Sequence, residues 1–191
     1  AIVKDNGLME WIDGNIGSKI NMKYPATILA GDYSLSECIS IAVANENVIQ
    51  DSGAKMIHLG KNTKSKIISK GVSIRNGVNN YRGLVKISPN AINSSSYVEC
   101  DSLLLNDNSI ADAYPTEILE NNTSSISHEA TITKISNEQI FYLMSKGLSE
   151  ESAKNLIILG FISDFTTELP LEYAVELNQL IKINIEEIKK C

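Results

Sequence analysis

The sequence predicts a mainly β fold closed by a short helical region, and three observations carry the prediction. From residue 1 to about 130, short apolar runs are broken by Gly, Asn, Ser and Asp, which is the rhythm of strands joined by frequent turns. Past Thr133 the spacing of apolar residues becomes helical and capping residues appear. No helical pattern precedes that point, so the order is β then α, which excludes an alternating Rossmann-like sheet.

The strands are read in order as ATILAG (26–31), CISIAVA (38–44), KMIHLG (55–60), KIIS (66–69), GLVKI (83–87) and DSLLLN (101–106). All are too short and too rich in β-branched residues for helices. In CISIAVA the residues Ile39, Ile41 and Val43 alternate with Cys38, Ser40 and Ala42. That predicts a strand with one large apolar face and one face of small side chains. Asn76-Gly77 is the one Asn-Gly pair of note, so tight hairpins do not punctuate every pair of runs. Two architectures stay open at this point, a sandwich and a parallel β-helix of coils of about 20 or more residues. Asn90, Asn93, Asn106 and Asn108 lean towards the coil corners of a β-helix.

Ser136 with Gln139 forms a capping-box signature, followed by Ile140, Leu143 and Met144, and Gly147 ends this first helix. Ser149 caps a second, with Glu150 and Glu151 in its first turn and Ala153, Leu156, Ile157, Gly160 and Phe161 on one face. Pro170 suits the first turn of a third, whose Tyr173, Leu177, Leu180, Ile181 and Ile188 recur at helical spacing. The chain divides into a β core over 1–133 and a helical domain over 134–191.

Composition narrows the function. The 191 residues carry 17 basic and 23 acidic side chains, a net charge of -6, and are 43% hydrophobic. An ordinary soluble domain fits, whereas phosphate-backbone binding wants a concentrated cationic face. No apolar run approaches the roughly 20 residues of a membrane-spanning helix, and the start lacks a secretory layout, so an intracellular protein is expected. The three cysteines, Cys38, Cys100 and Cys191, are far apart and odd in number, which points to a reducing compartment rather than a disulfide framework. No GxxxxGK[ST] phosphate loop occurs, so the chain is not itself an ATPase.

Cys100 lies in SSYVECDSLLL between Glu99 and Asp101. Free cysteine commonly packs as a small hydrophobe, and its acidic neighbours oppose a thiolate unless a metal binds it directly. His128 and Glu129 are adjacent in SISHEATI; on a strand they point to opposite faces, and one of them shares a face with Cys100. His58 reads as structural, Cys38 as packing, and Cys191 as a chain end. Lys55, Lys61, Lys64, Lys66 and Lys70 read as a solvated β-edge that discourages strand pairing. Glu99 and Asp101 are the paired carboxylates on which a carbohydrate-active β-helix enzyme would rest, and they are expected to point apart. Three distant cysteines cannot wrap a four-thiolate cluster, so any iron–sulfur cluster here is ligand-poor and borrows imidazole, carboxylate or a second subunit.

Several stretches together resemble one family. MEWIDGNIGSKINMKYP (9–25), SGAKMIHLGKNTKSKIISKGVS (52–73), NNYRGLVKISPNA (79–91), ECDSLLL (99–105), HEATITKISNEQIFYL (128–143) and ELPLEYAVE (168–176) are similar, in order, to the core and C-terminal part of the SufB type of the SufB/SufD family of iron–sulfur cluster assembly scaffolds. The resemblance implies a right-handed parallel β-helix followed by a C-terminal domain of about three helices. It implies a non-enzymatic scaffold that holds a transient iron–sulfur cluster. The implied partners are a SufC-type ATPase, met through the C-terminal helices, and SufD or a second SufB copy, met through the β-helix. Cys100 matches the cysteine of the CDSLL motif implicated in cluster formation. His128 and Glu129 match the HEA motif proposed to supply ligands, with Cys100 and His128 as the metal ligands. Ser127 stands where the family often has an acid, and the family's sulfur-accepting cysteine lies upstream of Ala1. The alternative within the family is a SufD-like structural subunit without cluster ligands. The Asn-, Ile- and Lys-rich composition points to a bacterial cytoplasm or an organellar, plastid-like stroma.

Overall fold

The computed structural model describes residues 1–167 and 169–186. Among them twelve strands precede four helices: β1 (Ile2–Val3), β2 (Leu8–Ile16), β3 (Ile20–Lys23), β4 (Ala26–Leu29), β5 (Leu35–Ala44), β6 (Ile49–Ser52), β7 (Lys55–His58), β8 (Lys64–Ser73), β9 (Val78–Ile87), β10 (Ser95–Leu104), β11 (Ile110–Leu119), β12 (Ser125–Lys134), α1 (Asn137–Ser145), α2 (Glu150–Phe161), α3 (Ser163–Thr167) and α4 (Leu171–Glu186).

Every strand pairing is parallel. One sheet runs β12-β10-β8-β5-β2; the other runs β1-β4-β7-β9-β6-β3, with β11 also on β9. A sandwich of tight hairpins is thereby excluded, and the chain is a parallel β-solenoid of about five turns. Side-chain hydrogen bonds between neighbouring coils, such as those at Asp32, Ser40, Ser94 and Thr63, join residues 27 to 31 apart. The corners use left-handed backbone at Asn6, Tyr33, Asn47, Asn62, Arg75 and Asn93, a conformation that asparagine tolerates well. Asn93 was expected there. Asn76-Gly77 belongs to a corner, not a hairpin. At the stacked corners Gly31 and Gly60 come so close that a Cβ on Gly60 would lie 2.2 Å from the Gly31 carbonyl oxygen.

The two faces of β5 settle what packs where. Ile39, Ile41 and Val43 join Val72, Ile74, Leu103 and Ile135 in a cluster with Ile158, Ile162, Phe165 and Ile181 of the helical segment. The large apolar face therefore receives the helices. Cys38 faces the interior with Ile67, Val98, Cys100, Met56, Tyr81, Val85 and Ile87. The small side chains of this β5 face leave room for larger ones such as Met56, Ile67 and Tyr81 from neighbouring strands. Much of the interior is polar and bonded in rows: Ser40 to Ser69 (3.2 Å), Ser65 to Ser96 (2.8 Å) and Thr63 to Ser94 (2.8 Å). His58 is fully buried, its Nδ1 2.8 Å from Thr63 Oγ1 and its Nε2 2.9 Å from Ser65 Oγ, as its structural reading anticipates.

The helical caps follow the sequence signals. Ser136 Oγ accepts from the Gln139 amide and Gln139 Oε1 accepts from the Ser136 amide; Ser149 Oγ accepts from the Ser152 amide. Gly147 has φ 94° just past α1, where a left-handed residue closes a helix. Three details differ from expectation. Pro170 precedes α4 and its carbonyl accepts from the Ala174 amide, so it caps the helix. Leu156 is half exposed while Ala153, Ile158 and Ile162 are buried, which rotates the packed face of α2. A five-residue helix, α3, intervenes before α4. Ile188 and Cys191 lie outside the described residues. Among the described residues no helix is long and apolar enough to cross a membrane.

Candidate functional site

β10 is the strand that builds the site. It is paired on one side with β8 and on the other with β12, so Cys100 has Ser69 and Ala130 as its register neighbours. Alternation sends Val98, Cys100 and Ser102 into the solenoid and Tyr97, Glu99 and Asp101 to the outer face. Cys100 is 5% exposed and lines a small cavity of mixed polar and apolar side chains with Ser69, Asn79, Tyr81, Ser102, Ala113 and Ala130. Gly71 opens this space, since a Cβ there would lie 3.1 Å from Ser102 Oγ. Burial pushes the Cys100 thiol up to about 12; the Tyr81 hydroxyl beside it acts in the opposite sense, while Asp101, Glu99 and Glu117 add to the rise. The other interior thiol, Cys38, is pushed up to about 12 by burial, with Asp13 adding to it.

His128 and Glu129 part company. His128 pairs in register with Val98, so it points inward and shares the face of Cys100, one strand over and two positions back. Glu129 pairs with Glu99 and lies exposed on the outer face. The structure thus brings Cys100 and His128 to one surface and sets Glu129 on the other side of β12. The partner that His128 does meet is Glu117 on β11, with Nδ1 2.8 Å from Oε1. Its Nε2 is buried and has no hydrogen-bond partner. Sequence reasoning missed Glu117 and Tyr81. Glu117 lies eleven positions from His128 on a strand containing Pro115 that no apolar run announces. The coil length was the missing signal, because it stacks Glu117 on the inward-facing Val85.

Two readings of the outer face need correction. Glu99 and Asp101 do not point apart: they are two positions apart on a strand, and a period of two puts them on one face. Lys70 bridges them, its Nζ 3.1 Å from Glu99 Oε1 and 2.5 Å from Asp101 Oδ2, with the Phe161 ring 5.4 Å away. Burial works against the charge on Lys70, yet its bonds to Asp101 and Glu99 carry its pKa above the ordinary lysine value. The carboxylates are occupied by an ammonium rather than poised as an acid and base. The lysine-rich stretch is likewise no sheet edge. β8 is the central strand of its sheet and β7 lies inside the other, so Lys64, Lys66 and Lys70 decorate a strand paired on both sides.

No group of three His, Cys, Asp or Glu side chains among the described residues is placed to hold a metal. Cys100 on β10 and His128 on β12 share the interior face, and β11 and β12 of the last coil each have one free edge.

The comparisons with known proteins bear on this arrangement. Residues 1–161 match the family described as SUF system FeS cluster assembly, SufBD core domain. The chain belongs to the SufBD core family. It is 50% identical over 186 residues to the iron-sulfur cluster assembly protein SufB of Bacillus subtilis, covering 97% of this chain and 40% of that protein. It is 49% identical over 186 residues, with the same coverage, to SufBD family proteins of Staphylococcus epidermidis and Staphylococcus haemolyticus. The chain thus spans 40% of the length of these SufBD relatives. The solenoid and the first two helices are the part that the SufBD core match covers.

Proposed function

We propose that this chain is the cluster-holding part of a scaffold subunit for iron–sulfur cluster assembly, acting in a SufB-SufC-SufD type complex and handing a transient cluster to apoproteins. The observation that carries the reading is that Cys100 and His128 share the inward face, His128 on the open last coil and Cys100 on the strand beside it, in a chain of the SufBD core family. The cluster is cargo, held by Cys100 and His128 as metal ligands, with Glu129 at the same rim on the outer side. Two protein ligands leave positions for a second subunit, SufD or another SufB copy, added along β11 and β12. Exposed Ile110, Tyr114, Ile118, Leu119 and Ile132 on these strands support that face as the joint. Exposed Phe141, Tyr142, Leu171 and Tyr173 on the helices support docking of a SufC-type ATPase, to which ATP hydrolysis belongs. The scaffold works in the bacterial cytoplasm or a plastid-like stroma.

Anaerobic reconstitution with ferrous iron and sulfide tests the reading. Wild-type protein should develop cluster absorbance and Cys100→Ser should lose most of it; equal absorbance in the two removes Cys100 from the function. The SufD-like alternative, a subunit without ligands, predicts that equality.

A further inference from the structure

The ring of His128 is held in one orientation by a residue that no motif marks. Its Nδ1 lies 2.8 Å from Glu117 Oε1, and its other nitrogen, Nε2, is buried with no hydrogen-bond partner. The histidine side chain is 12% exposed and that of Glu117 36%, so the ring is largely withdrawn from solvent while the carboxylate reaches it from the rim of the last coil. A neutral imidazole carries one proton. A carboxylate at Nδ1 accepts a hydrogen bond from that N–H and holds the proton there, which leaves Nε2 with a free lone pair. Buried polar atoms are rarely left without a partner, and here the orphan is the atom of the pair best suited to bind a metal. Histidines that ligate metals through one nitrogen commonly donate the other N–H to a carboxylate, which fixes the tautomer and raises ligand basicity.

We propose that Glu117 is the positioning residue for His128: it accepts a hydrogen bond from Nδ1–H, which keeps the proton on Nδ1, and so presents Nε2 as the donor atom on the interior face shared with Cys100. Glu129, adjacent in sequence to His128, does not serve the ring, because it projects from the opposite face of β12. The inference rests on the reading of Cys100 and His128 as ligands.

The test has two arms. His58 and His128 are the two histidines of the 191-residue chain, so long-range proton–nitrogen NMR reads each ring in metal-free protein. Wild-type His128 should show the Nδ1–H tautomer, and Glu117→Ala should move it towards Nε2–H while His58 stays unchanged. A His128 ring indifferent to Glu117→Ala overturns the proposal. In the second arm cobalt(II) is titrated anaerobically, with thiolate-to-cobalt absorption reporting Cys100. Glu117→Ala should weaken cobalt binding about 10- to 100-fold, and Glu117→Asp should recover part of the loss. If Cys100→Ser and His128→Ala bind cobalt as the wild type does, the ligand reading fails whatever the ring shows. If those two lose binding while Glu117→Ala keeps it, the positioning role alone fails. Circular dichroism of each variant separates these outcomes from misfolding.

Discussion

The Nζ of Lys70 on β8 lies 2.5 Å from Oδ2 of Asp101, its register neighbour on β10. The lysine side chain is 11% exposed and that of Asp101 21%, so the pair is largely withdrawn from water. Removing one member strands the other. Lys70→Met should destabilise the fold by about 1–3 kcal/mol, below the cost of breaking a fully buried pair because both carboxylates retain some solvent. Urea denaturation followed by circular dichroism measures this, and adding Asp101→Asn should restore part of the loss.

His58 gives the fold an acid sensitivity. Burial lowers its pKa from 6.5 to about 4, so above pH 6.5 the folded and unfolded states bind this proton alike. Between pH 6.5 and about 4 the unfolded chain takes up a proton that the folded chain refuses, and stability falls as the pH falls. The loss amounts to about 3 kcal/mol across that window. His58→Gln should flatten this part of the pH–stability curve, measured by urea midpoints at matched ionic strength.

Two glycines should answer alanine with opposite signs. Gly60→Ala drives a Cβ to 2.2 Å from the Gly31 carbonyl oxygen, forcing stacked corners apart at a cost above about 2 kcal/mol. Gly160, inside α2, has no atom within 4 Å of its added Cβ, and Gly160→Ala should stabilise by about 0.5–1 kcal/mol through helix propensity. Thermal melts of the two variants check both signs.

The union of helices and solenoid rests on residues such as Ile158, fully buried in the cluster that also holds Ile41. Ile158→Ala should cost about 2–5 kcal/mol. Because Ile41 and Ile158 share one cluster, their alanine substitutions should combine non-additively; a double-mutant cycle in urea reads the coupling.

What was legible in the sequence is what local chemistry dictates. The alternation in CISIAVA foretells both faces of β5, and Ser136 with Gln139 foretells the start of α1, because the interacting atoms lie within a few residues of each other. The partners of Lys70 lie 29 and 31 residues away, one coil on, and a strand-edge reading of the lysines fails for want of that repeat. The same holds for the site: Cys100 and His128 stand out by residue type, whereas Glu117 acquires meaning only when the coil stacks it over Val85. The separation of His128 from Glu129 follows from strand period alone; which of them faces Cys100 required the register between β10 and β12.

The coils do not share one length. β2 to β5 advances from Leu8 to Leu35, β5 to β8 from Leu35 to Lys64, and β8 to β10 from Lys64 to Ser95, yet the strands stay in step. The surplus residues are taken up at the corners, which act as slack between rigid rungs. Chain length is therefore a free variable at turns such as Asn90–Asn93 and a fixed one inside β10. An extra residue there would turn the segment beyond it over, exchanging the thiol of Cys100 for a neighbouring carboxylate at the heart of the molecule.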